Sequence, residues 1–268
     1  MPQTRTARAP VRAARAPSRT VRASQSRFSR VRSIVQFLRR LALVFLAFPL
    51  ALRIIVATVV ILAVWSAVNW AYQVMRKPTE LFFPVSGALS KTPAETWRQY
   101  ASLFREHSTP VMTPELLAAL AQVEGAGNPV ARTYWRWRLT HQPFEVYRPA
   151  SSAVGMYQIT DARFADAKRL CIHDHVAVEN CWFNFLYMRT VPSHAVEMTS
   201  AFLDRAVERR KLKGAALQQK QDLAALIHLC GESVRVGARR CGEHDAQLYL
   251  AQVNAMKRLF ARIAGDDL

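Results

Sequence analysis

Glu124 breaks a local rule of helix composition, and that makes it the first residue to examine for chemistry. Thr113 is a good N-cap, Pro114 suits the first helical position, and Glu115 favours the positive helix end. Leu116, Leu117 and Leu120 then form an apolar stripe at helical spacing, and Glu124 continues it four residues after Leu120. Gly125 and Gly127 are placed to end the helix. Glu124 therefore lies on a buried face and at the negative end of the helix dipole, and both effects favour its protonated form. A carboxylic acid held protonated near neutral pH is a general acid. The plainer alternative is a solvated glutamate near a helix end.

The elements that must position Glu124 read as helix after helix. Thr92, Pro93 and Glu95 form a capping box with proline at the first helical position, ahead of Trp97, Tyr100, Ala101 and Phe104 at i, i+3, i+4 and i+7. Thr160 or Asp161 caps a short helix carrying Phe164 and Ala167. Residues 176–188 read as another helix, with Trp182, Phe185 and Leu186 as core candidates. Further helices are expected over 193–212 and 215–229, and a final one with Tyr249, Val253, Met256, Phe260 and Ile263 on one stripe. Glycine is scarce and no alternating strands stand out, so the fold class is mainly α. The four cysteines fall as Cys171/Cys181 and Cys230/Cys241, which suggests two local disulfides in an oxidising compartment. Four cysteines allow three pairings, and Cys171, His173, His175 and Cys181 form an alternative zinc set.

The stretch EGAGNP followed by SAVGMYQ resembles the paired motifs of the lysozyme-like lytic transglycosylases, the soluble lytic transglycosylase (SLT) domain of glycoside hydrolase family 23. In that family a helix ends in Glu-Ser-x-x-x-Pro and is followed by Gly-Ala-x-Gly-Leu-Met-Gln. Glu124, Asn128 and Pro129 match the first motif; Ala153, Gly155 and Gln158 match the second. The run VENCWFNFLY resembles a third family helix through Asn180, Phe183, Leu186 and Tyr187. The resemblance covers roughly residues 94–235 and implies a lysozyme-like helical domain that cleaves peptidoglycan, with no cofactor and no metal. Glu124 is then the acid and base. It protonates the glycosidic oxygen between N-acetylmuramic acid and N-acetylglucosamine, then removes the proton from the muramoyl 6-hydroxyl as that group closes to a 1,6-anhydro sugar. The substrate supplies its own nucleophile, so positioning replaces the second carboxylate most glycosidases need. Glu145, Asp161 and Asp166 are the other acids nearby in sequence, one explained as a cap and two as surface residues. Gly155 would admit the backbone close to the sugar, with Met156, Tyr157 and Gln158 lining the groove.

Three positions depart from the family pattern. The serine after the catalytic glutamate is Gly125. A segment at 131–150 separates the two motifs, carrying Tyr134, Trp135, Arg136, Trp137 and Arg138. Its aromatic faces suit sugar rings and its arginines suit carboxylates, making Tyr134 and Trp135 substrate-binding candidates; it could equally be a structural flap or touch anionic lipid. The family's Ala-Tyr-Asn-Ala-Gly motif, whose tyrosine orients the acid, has its best match at 226–231, which puts His228 in place of that tyrosine. A histidine there would be charged at mildly acid pH.

The remaining sequence concerns location. The formal charge of +18 suggests a nucleic-acid binder, but residues 1–40 hold eleven arginines and no acid, and Arg53 adds one more. The tail 1–33 has too few large apolar residues to fold alone. It is followed by a membrane anchor at 34–76, whose core 54–75 is 22 residues without a charge, against about 20 needed to cross a bilayer. Trp65, Trp70 and Tyr72 lie toward its far end, where an interfacial aromatic belt belongs. An arginine-rich tail stays in the cytoplasm, which places a stalk at 77–91 and the domain 92–268 in the periplasm of a bacterial inner-membrane protein. A cleaved signal peptide is the alternative, with an unusually long basic region and no convincing cleavage site. The expected partners are peptidoglycan strands and inner-membrane lipid, with an envelope-spanning or secretion machine as a setting such anchoring would suit, and no nucleic acid. The rival reading is a non-catalytic peptidoglycan-binding or scaffold module with a degenerate lysozyme-like fold.

Overall fold

The computed structural model describes residues 43–266 apart from 83, 180 and 213, together with 32, 35–37 and 39–40. All of the tail 1–33 except Arg32, and the motif residue Asn180, lie outside the described residues. The chain forms two units, 1–67 and 68–268. Helix α1, Leu50–Arg76, is 27 residues long and is long and apolar enough to cross a membrane. In the first unit none of its residues is buried, and Arg53, its one charge there, donates to the Phe48 carbonyl.

The second unit is mainly helical. Helices α2 (Pro93–Glu106), α3 (Pro114–Gly125), α4 (Asp161–Ala167), α5 (Pro192–Arg209), α6 (Leu217–Cys230) and α7 (Ala246–Asp266) surround one core. The predicted caps form: Thr92 and Glu95 make a reciprocal capping box, and Thr113 and Thr160 each accept a backbone N–H from three residues on. Leu116, Leu117, Ala118, Ala119, Leu120 and Ala121 are all buried, so α3 is enclosed on every side rather than along one stripe. Its alanines let α2 and α7 approach closely, and α7 contributes Tyr249, Val253 and Phe260 to the same core.

Three antiparallel hairpins among the described residues depart from the all-helical expectation: β1–β2 (Trp135–Trp137 with Tyr147–Pro149), β3–β4 (Leu170–His173 with Val176–Glu179) and β5–β6 (Arg240–Cys241 with His244–Asp245). The second replaces the helix expected over 176–188. Asp174 and His175 both adopt positive φ, the geometry of a two-residue hairpin turn, and the β-branched Val176 and Val178 follow it into the strand. Trp182, Phe185 and Leu186, expected in the core, are exposed around a single 3-10 turn at Asn184–Leu186, with Trp182 at 87%. The disulfides pair Cys171 with Cys181 and Cys230 with Cys241, with Cα separations of 6.2 and 5.6 Å. With their sulfurs joined, Cys171 and Cys181 are not thiolate ligands, so the alternative zinc set does not form.

The stalk expected at 77–91 is folded against the second unit through two 3-10 turns, Pro78–Phe82 and Ser86–Leu89. Glu80 is completely buried; Lys77 and Arg132 each approach it to 3.3 Å, and the Trp135 indole donates to it at 2.8 Å. Asn128 donates to the Ser86 carbonyl and Ser86 donates to that of Val130, tying the segment to the loop after α3.

Candidate active site

Glu124 sits in the last turn of α3, with its side chain 17% exposed. The helix closes with Ala126 in the left-handed conformation, between the two glycines expected to end it. Gly125 is the last helical residue, and its role is packing: a Cβ there would lie 2.8 Å from the Met156 Cα and carbonyl oxygen. A serine at that position would collide with backbone. The same contact joins the two motifs directly, backbone to backbone.

The side chains of the second motif point elsewhere than expected. Met156 and Tyr157 are fully buried, and the Tyr157 hydroxyl donates to the Leu117 carbonyl of α3 at 3.1 Å. They are core residues rather than groove lining, because the close Gly125 packing turns this loop into α3. Gly155 has φ of 81°, and a Cβ on it would meet the Arg189 carbonyl at 2.5 Å. Its requirement is therefore set by the protein's own backbone. Gln158, half-buried, donates to the carbonyls of Ala131 and Gly155 and braces the loop.

Three basic or hydroxylic groups converge on Glu124. The Tyr249 hydroxyl, on the first turn of α7, donates to Glu124 Oε1 at 2.5 Å. His228 Nε2, on the last turn of α6, lies 3.6 Å from the same oxygen, too far for a good hydrogen bond. Arg163 on α4 donates to the carbonyls of Ile227 and His228 at 3.0 and 2.9 Å, closing the C-terminal end of α6. It also lies 3.1 Å from His228 Nδ1. Arginine only donates, so Nδ1 accepts and the imidazole proton is on Nε2, facing Glu124.

Electrostatics separate these groups. Burial pushes the Glu124 carboxyl above its ordinary value; the Tyr249 hydrogen bond and the electrostatic influence of Arg163 and His244 pull the other way without cancelling it. Burial, and then the Arg163 charge, hold His228 down from 6.5 to about 3. His228 is therefore neutral through the mildly acid range, contrary to the expectation from sequence, and its contact with Glu124 is not an ion pair. The orienting hydrogen bond expected from position 228 comes from Tyr249 instead. Tyr249 was legible only as the first member of the α7 core stripe. Its signal was a hydroxyl at a buried position, but the partner is 125 residues away in sequence.

Among the described residues, no hydrogen bond, ion pair or ring contact joins Tyr134 or Trp135 to Glu124. Trp135 is held by buried Glu80 and Tyr134 is exposed. The segment 131–150 instead packs on the end of α1: Asn69 donates to the Tyr147 carbonyl at 2.8 Å, Gln73 to that of Phe144 at 2.6 Å, and Arg76 pairs with Glu145. Glu145, expected at the surface, is thus a structural link held by both Arg76 and Arg148. Comparison with protein-family models, with curated proteins and with solved structures finds no match to this chain.

Proposed function

We propose that this chain is a membrane-anchored peptidoglycan lytic transglycosylase with a lysozyme-like helical domain and Glu124 as its single acid and base. The observation that carries this reading is the partly accessible Glu124 carboxyl, raised by burial and oriented by Tyr249 at 2.5 Å. Burial supplies the protonated form that gives its proton to the glycosidic oxygen. The Tyr249 hydrogen bond favours the carboxylate, the form that next takes the 6-hydroxyl proton as the anhydro ring closes. The side chains whose electrostatics bear on Glu124 besides Tyr249 are Arg163 and His244, neither of them a carboxylate, which suits a mechanism with one carboxylate. Helix α1 and the two disulfides are compatible with an inner-membrane anchor and a periplasmic domain.

The test is muropeptide analysis of purified sacculi incubated with the detergent-solubilised full chain. Anhydro-muropeptides are expected from the wild type, and at least about 100-fold fewer from Glu124→Gln. Reducing ends instead would identify a hydrolase. Sacculus binding without products, in both proteins, would leave a binding module.

A further inference from the structure

The hairpin at 131–150 presents a solvent-exposed face. Residues 136–143 are exposed without interruption, with Tyr134 at 73% and Trp137 at 68%. Arg136 stands directly across from Arg148 in the ladder, an unfavourable like-charge pair. Arg148 is neutralised by Glu145, whereas Arg136 and Arg138 have no carboxylate partner among the described residues. The segment carries four arginines and one acid. The exposed face therefore combines interfacial aromatics with uncompensated positive charge.

Its place on α1 says what it meets. Because Asn69 and Gln73 pack against the hairpin, the span that can cross ends near residue 68 rather than at 75 as expected from sequence; the 19 residues 50–68, with one charge at Arg53, rise about 28 Å, close to the roughly 30 Å of a bilayer's hydrocarbon core. Asn69 and Gln73, the first polar amides beyond them, are buried against the hairpin, and Tyr72 lies 5.3 Å from the Phe144 ring. The hairpin is thus fastened to the two turns of α1 that follow the apolar span. Resting on the reading of α1 as a membrane anchor, we propose that the hairpin lies on the leaflet from which α1 emerges, with Trp137 and Leu139 in the interfacial layer and Arg136 and Arg138 on the phosphates of anionic lipid. Tryptophan favours that layer, and each arginine near an anionic surface adds to the attraction.

The native cysteines are paired, so a single added cysteine in the full chain takes an environment-sensitive fluorophore selectively. Leu139→Cys reports on the hairpin and Val60→Cys on α1, each in phosphatidylglycerol-containing nanodiscs carrying nitroxide lipids. Quenching of the Val60 label by deep nitroxides and of the Leu139 label by shallow ones is the expected result. Adding Arg136→Ser and Arg138→Ser should lower the docked-to-free ratio at Leu139 by up to about 30-fold, from about 1 kcal/mol per arginine. A ratio unchanged by those substitutions would overturn the phosphate contacts. A quenched Val60 label with an indifferent Leu139 label would overturn the proposal and leave the anchor standing. An unquenched Val60 label would remove the anchor and the proposal together. A Leu139 label that ignores lipid but responds to added glycan fragments would make this face a sugar subsite instead.

Discussion

Tyr249 and Glu124 share a hydrogen bond that favours the carboxylate, so its removal has a predictable sign. Tyr249→Phe should raise the Glu124 value further and move the alkaline limb of the pH–rate profile, where the protonated acid is lost, to higher pH. Maximal rate should fall by about tenfold or more as orientation and the base form are lost. A profile whose limb does not move would show that Tyr249 only packs. His228 makes the opposite kind of prediction. Its folded value of about 3 lies below its ordinary 6.5, so the unfolded chain takes the proton first. The stability it contributes is full above 6.5 and is lost as pH falls toward 3, at a slope of at most about 1.4 kcal/mol per pH unit. Denaturant titrations of wild type and His228→Gln between neutral and acid pH should show that component in wild type alone. Glu124, raised rather than lowered, stabilises below its unfolded value and loses that contribution as pH rises through the folded one. Glu124→Gln should therefore be no less stable than wild type above neutrality. Glu124 was readable from the stripe it interrupts, whereas the roles of Met156, Tyr157 and Gly155 depended on which way one loop turns.

At the level of elements, the legible parts were those with local signals. The Thr92 capping box and the Thr113 cap act within one turn, and both form as written in the sequence. The hairpin β3–β4 was missed because its turn pair, Asp174 and His175, lacks the glycine that usually marks positive φ. The Cys230–Cys241 bridge joins the end of α6, which carries His228, to β5, just ahead of α7 and Tyr249. Replacing both cysteines with serine should cost about 2–3 kcal/mol in stability, by the loop-closure argument. It should also lower activity more than the equivalent change at Cys171 and Cys181, because only the former links two elements that meet at Glu124. Equal losses of activity from the two pairs would count against that.

At the scale of the molecule, the end of α1 belongs to the folded unit rather than to a free anchor. Asn69 and Gln73 satisfy two hairpin carbonyls, and Glu80 gathers Lys77, Arg132 and Trp135 beneath it. Asn69→Leu with Gln73→Leu leaves both carbonyls without their donors, at about 1–3 kcal/mol each. The hairpin should then open more often, and limited trypsin digestion of the full chain should cut after Arg136 and Arg138 several-fold faster. An unchanged cleavage rate would mean that the Glu80 cluster holds the hairpin by itself.

The sequence by itself determined the mainly helical class, the apolar span, the helix caps and an acid misplaced on an apolar stripe, because each is set by residues within a few positions of one another. Cysteine spacing suggested the disulfide pairs that the fold adopts, although two other pairings were open. Only the tertiary structure decided that Tyr249 rather than His228 bonds to Glu124, that Gly125 is required by the Met156 backbone, and that the 131–150 hairpin belongs to the end of α1. Those contacts join residues 31 to 125 positions apart, and which groups meet across such distances follows from how whole helices pack, not from any local pattern.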